Sequence, residues 1–319
     1  MKPVIGTQAS LCIAFGTKYL YRRIPATFRL NTLAGTGQQE IYDALQDALP
    51  PRCGCVLAYS EGILGSNNEK DNIIEVAHLP ARAAFAAITI PKIPRVTTHV
   101  FRIDQDESVA TGLPQFKFEI FKGGEYHTVT KVNKELLHGT VKCVLLFSDE
   151  MVTYMDMSTP QKLFSLIKEG QSENFAFGGC VVTSTLVPKI ELVAMAGGVL
   201  FCGDNLLAAS VVIREADTDD RSIEERMLEL KSCNFPLKNS MALMFSCVGR
   251  PDLVSETRCF QRHFPNTPLI GLVGNGETGW TYLPKSGDQQ ASGIMPKRRA
   301  PNLEHYYSTV VVLLSWDDS

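Results

Sequence analysis

The chain has 319 residues, 45% of them hydrophobic and 20% charged, with a formal net charge of −3. That length supports one large core or two ordinary ones. The nearly balanced charge lacks the basic surplus of a nucleic-acid binder, so a protein or a small polar ligand is the expected partner. Nine cysteines, an odd number, lie mostly in apolar runs such as 141–147, where a free thiol acts as a small hydrophobe. No apolar run approaches the ~20 residues that cross a bilayer. The opening Met1-Lys-Pro-Val-Ile5 has no leader-like apolar stretch. A reducing compartment, cytoplasm or nucleus, is expected, with no membrane partner.

In chain order, Ala9–Phe15 reads as a short buried strand, and residues 19–37, with Arg22 and Arg23, as a solvated loop. Residues 38–49 predict an amphipathic helix, its apolar stripe formed by Ile41, Ala44, Leu45, Ala48 and Leu49. Pro50 and Pro51 stop it, because proline restricts the residue before it and cannot donate a backbone bond. Strands follow at 53–59, 83–90 and 95–103. Between Asp104 and Gly139 the pattern weakens to a connector with one hairpin around 116–121, and a domain boundary is expected there. The expected division is 1–136, an N-terminal lobe, and 137–319, a C-terminal region.

The second half reads as strand 141–147, then a helix capped by Thr159 with Pro160 at its first position and closed by Gly170. Strands at 174–182, 198–202 and 207–213 precede a helix opened by the capping box Ser222-Ile-Glu-Glu225. Strand 240–247, helix 255–264, strand 268–273 and strand 306–315 complete the chain. Leu145-Leu-Phe-Ser148 matches Leu243-Met-Phe-Ser246, each followed by a helix and a glycine-containing strand end. Residues 9–59 form a looser third copy. The fold class is therefore α/β (α+β): duplicated strand–helix–strand lobes forming mixed sheets with helices packed on them.

Gly274-Asn275-Gly276-Glu277-Thr278-Gly279 fits the spacing of a dinucleotide fingerprint. That motif works only when a helix starts at the turn and aims its amides at a pyrophosphate. Here residues 280–284 read as a strand ended by proline, so the glycines are assigned to a tight turn and no cofactor is expected. Cys247-Val-Gly249-Arg250 ends another strand. An adjacent cation lowers a thiol pKa, but a nucleophile also needs a positioned base, and nothing in the sequence holds His263 or His305 nearby. A buried cysteine, with Arg250 paired to a carboxylate such as Glu277, is the plainer reading. Cys53-Gly-Cys55 has the wrong spacing for a zinc half-site and the six histidines are scattered, so no metal is expected. Lys297-Arg-Arg299 reads as a solvated basic loop.

Residues 242–250 (Ala-Leu-Met-Phe-Ser-Cys-Val-Gly-Arg), 259–265 (Cys-Phe-Gln-Arg-His-Phe-Pro) and 268–277 (Pro-Leu-Ile-Gly-Leu-Val-Gly-Asn-Gly-Glu) together resemble the FIST C-terminal module. The resemblance continues more faintly upstream, through Phe177-Gly-Gly179 to residues 39–64. It implies one of two non-catalytic roles. One is the substrate-holding region of an F-box receptor of a cullin-type ubiquitin ligase, with a protein substrate or a ligase component as partner. The other is a sensory domain for a small ligand of the amino-acid type. A strand beginning near residue 9 leaves no room for an F-box ahead of it. The candidate ligand- or partner-binding residues are Cys247, Gly249, Arg250, Gly274, Asn275, Gly276 and Glu277. In the sensor reading, Arg250 grips a carboxylate and Glu277 an amine. An enzyme using Cys247 is the third reading, and no catalytic residue is assigned.

Overall fold

The computed structural model describes residues 9–20, 36–66, 73–76, 83–106, 115–150, 158–189, 195–251, 253–284 and 301–317. Three strand–helix–strand units organise it. The first is β1 (Ala9–Thr17), α1 (Thr36–Ala48) and β2 (Gly54–Ser60). The second is β9 (Val141–Asp149), α3 (Thr159–Gly170) and β10 (Ala176–Val182). The third is β14 (Ser240–Cys247), α5 (Leu253–His263) and β15 (Leu269–Gly274). Within each unit the two strands pair in parallel, with Phe15 opposite Ala58, Phe147 opposite Cys180 and Phe245 opposite Leu272. A parallel pair needs a long crossover, which the helix supplies. An antiparallel strand then flanks the first strand of each unit: β5 (Phe85–Pro91), β12 (Ala196–Cys202) and β18 (Thr309–Trp316).

The units are not separate lobes. The short strand after each parallel pair leaves its own unit and joins another. β3 (Gly62–Ser66) pairs with β15, β11 (Ser184–Leu186) with β2, and β16 (Glu277–Gly279) with β10. Each unit lends one strand and receives one, so the exchange closes as a ring. The three resulting sheets have four, eight and six strands. β6 (Thr97–Asp106), β7 (Gln115–Lys122), β8 (Glu125–Thr128) and β17 (Glu304–His305) extend the eight-stranded sheet. β13 (Leu206–Ile213) and β4 (Ile73–Val76) extend the six-stranded one. All three sheets contain strands from both sides of residue 136.

The inner faces of the sheets enclose one shared apolar core. At its centre the rings of Phe15, Phe147 and Phe245 meet pairwise edge to face, with centroids 5.6, 6.3 and 5.8 Å apart. Such pairs contribute about 0.5–1.5 kcal/mol each beyond their buried area. The repeat legible at Phe147 and Phe245 thus includes Phe15. Helices cover the outer faces: α1 lies on the four-stranded sheet, and α3 on the eight-stranded sheet through Leu163 and Ile167. On the six-stranded sheet, α4 (Asp220–Lys231) and α5 bury Ile223, Met227, Leu230 and Phe260.

Several local expectations are corrected. Helix α1 turns Tyr42 and Leu49 inward and leaves Ala44 and Ala48 exposed, because the Tyr42 ring fills the contact and its hydroxyl donates to the Cys55 carbonyl at 3.2 Å. Among the described residues of 104–139, the hairpin is longer than expected, with β7 and β8 joined through Gly123-Gly124. Both glycines have positive φ, at 64° and 93°, as a two-residue hairpin turn of this hand requires. The cap of α4 is Asp219, whose carboxylate accepts from the Arg221 and Ser222 amides, and not the box at Ser222. The cap position of α3 is Ser158, one residue ahead of Thr159. The short helix α2 (Lys134–Leu137), capped by Asn133, is a further element within 104–139. Arg22, Arg23 and 297–299 lie outside the described residues.

Candidate functional site

The strand ends of the third unit bring most of the candidate residues together. Cys247 and Gly274 are register partners at the close of β14 and β15. The chain then turns through Asn275 and Gly276, whose φ of 144° suits glycine. This turn is pinned to β10: the Asn275 amide donates to the Val181 carbonyl at 3.2 Å and the Val181 amide to the Gly276 carbonyl at 2.8 Å. A Cβ on Gly274 would stand 2.3 Å from both the Cys180 sulfur and the Val181 carbonyl oxygen, so the close approach admits no side chain. Strand β16 follows directly, and no helix opens at the glycines. Trp280–Pro284 continues as an irregular segment with one bridge, from Tyr282 to Ser210.

Gly249 and Arg250 serve a different purpose. Gly249 lies under the Tyr307 ring, 2.6 Å from where its Cβ would be. Arg250 is buried, and its Nε donates to Glu256 Oε1 at 2.6 Å in α5. Its terminal nitrogens donate to the carbonyls of Arg214 at 2.9 Å, Tyr307 at 3.2 Å and Asp217. The expected partnership with Glu277 is therefore replaced by Glu256, because α5 starts only three residues beyond Arg250 and presents its carboxylate first. With its donors committed to the frame, Arg250 ties three loops together.

Glu277 is 1% exposed. Its Oε2 accepts from the Ser308 hydroxyl at 2.7 Å and the Ser308 amide at 3.2 Å. Its Oε1 has no hydrogen-bond partner among the described residues, and neither has Ser148 Oγ. Burial pushes the Glu277 carboxyl up to about 8, against the pull of the Ser308 bonds and the Cys247 thiol. Burial, and then the Glu277 charge, also push the Cys247 and Cys180 thiols up. A thiolate is disfavoured at both, which weighs against a Cys247 nucleophile. His305 pairs with Glu277 across β16 and β17. Its Nε2 is 2.9 Å from the Gly279 carbonyl, and burial lowers its pKa.

A cavity of about 10 Å³ sits beside Glu277, lined also by Ser148, Thr159, Pro160, Gly276, Thr278, Glu304, His305 and Tyr306. That is room for one group the size of a water molecule. Ser148 and Ser308 were not among the sequence candidates, and His305 entered the sequence reading only as a candidate base for Cys247. Ser148 carried a signal nonetheless, since it is the serine of the repeated Leu-Phe-Ser pattern. Its counterpart Ser246 is satisfied by the Thr309 hydroxyl at 2.9 Å. A second, open groove of about 590 Å³ runs between β7, β8 and α3. Among the described residues no group of three or more His, Cys, Asp and Glu is placed to hold a metal ion.

The chain is similar to part of F-box only protein 22. The identity is 25% over 293 residues for the proteins of both Homo sapiens and Pongo abelii, covering 85% of this chain and 66% of each relative. The chain thus spans just under two thirds of the length of these relatives. No family model matches it. Among solved structures, a cyanuric acid hydrolase from A. caulinodans covers 95% of this chain at 9% identity, with a TM-score of 0.37. Those values bear on neither fold nor chemistry.

Proposed function

We propose that this chain is a non-catalytic protein-binding module linked to ubiquitin-dependent protein turnover, acting as the substrate-holding region of a ligase receptor does, in the cytoplasm or nucleus. The carrying observation is the similarity to F-box only protein 22 over 85% of the chain. The site agrees with it. Arg250 and the glycines build a rigid frame, burial disfavours the thiolates of Cys180 and Cys247, and the cavity beside Glu277 is far smaller than the ~300 Å³ or more of an ordinary ligand pocket. That size weighs against a sensor enclosing a whole amino acid there. No described helix is long and apolar enough to cross a membrane. Affinity capture with cross-linking and mass spectrometry is expected to recover a ligase subunit or a discrete protein substrate. Recovery of neither overturns the reading.

A further inference from the structure

The lining of the Glu277 cavity is rich in acceptors and has no Lys or Arg. Glu277 and Glu304 supply carboxylates; Ser148, Thr159 and Thr278 supply hydroxyls. Two of these groups, Glu277 Oε1 and Ser148 Oγ, are buried and without a hydrogen-bond partner among the described residues, their residues being 1% and 4% exposed. A buried polar atom left without a partner is costly, so a donor entering the cavity that both residues line is favoured. Of the lining residues, Tyr306 is 49% exposed, and Tyr307 beside it is 53% exposed with a left-handed φ of 53°. A cation over such rings is attracted to their faces. The N-terminus of α3 also reaches the cavity, which by itself would favour an anion. It does so through Thr159 and Pro160, and proline has no amide hydrogen to offer.

We propose that this cavity receives a primary ammonium group, the tip of a lysine side chain on a protein partner, donating to Glu277 Oε1 and Ser148 Oγ while its stem lies against Tyr306. The inference deepens the protein-binding reading and rests on it. Size selects among cations: an –NH3+ head matches one water, whereas guanidinium and quaternary ammonium groups exceed about 10 Å³ of space. Bound ammonium favours the charged carboxylate, so binding at neutral pH releases a proton from Glu277. Of the other titratable groups around it, the Cys180 and Cys247 thiols, Glu256, Glu304 and His305, burial raises the two thiols and lowers His305, which disfavours the charged form of each of those three.

Calorimetric titration of the full chain with n-butylammonium chloride, in two buffers of different ionisation heat, tests this. Saturable binding with proton release is expected, weakened at least about tenfold by Glu277→Gln and by Ser148→Ala. The second variant removes only a hydroxyl that has no partner among the described residues, so it is expected to retain the fold. Tetramethylammonium and guanidinium are expected to bind at least about tenfold more weakly than butylammonium. Heat no different from dilution, equal binding by both variants, or preferential binding of acetate overturns the proposal. A captured protein partner that ignores both Glu277→Gln and excess butylammonium also overturns it and leaves the module reading standing. Butylammonium binding without any captured protein overturns the module reading instead.

Discussion

Glu277 holds its proton because burial outweighs two bonds from Ser308, and this has a measurable cost. The carboxyl titrates near 4.5 when unfolded and near 8 when folded. Between those values the native state binds more protons than the unfolded state, so stability falls as pH rises through the window and levels off above about 8. The thermal midpoint should decline between about pH 5 and pH 8, and Glu277→Gln should flatten that slope while leaving the Ser308 bonds in place. Arg250 behaves in the opposite way. Arg250→Met strands the Glu256 carboxylate in the interior and should cost about 3–5 kcal/mol in denaturant titrations. Removing both charges, as Arg250→Met with Glu256→Leu, should recover much of that loss. The sequence pattern pointed to the correct strand ends but paired Arg250 with Glu277. Both carboxylates are compatible with the motif, and only the start of α5 decides between them.

At the level of elements, strands buried on both faces were the most legible, since β9, β14 and β15 read as unbroken apolar runs between turn residues. Least legible were β3, β11, β16 and β17. They have two to five residues each and form because a neighbouring unit offers an edge, which no local pattern encodes. Helix caps show the same limit. Asp219 and Ser222 both fit a cap, but the carboxylate of Asp219 reaches two amides. Asp219→Ala should lower the melting temperature measurably, while Ser222→Ala should change it little. Glycines divide by their surroundings. A Cβ on Gly179 would sit 1.8 Å from the Leu146 carbonyl oxygen, whereas one on Gly65 meets, among the described residues, only the Ala86 methyl at 3.5 Å. Gly179→Ala should therefore abolish soluble expression, and Gly65→Ala should be tolerated.

For the whole molecule, the Phe15, Phe147 and Phe245 contact joins all three units in one core. Phe245→Ala should cost about 3–5 kcal/mol, and calorimetry should show one transition moving down in temperature as a whole. Separate transitions for 1–136 and 137–319 would contradict the shared sheets. The ring of lent strands also bears on how a ribosome delivers this chain. Strand β3 emerges early, yet its partner β15 lies far downstream, the Ser66 hydroxyl meeting a carbonyl 203 positions away. Until that stretch is synthesised, the edge of β3 stays unmet and open to mispairing with other chains. Closure therefore waits until β15 has been made, and a product truncated before it should be a client for chaperones even when most of its helices are already present.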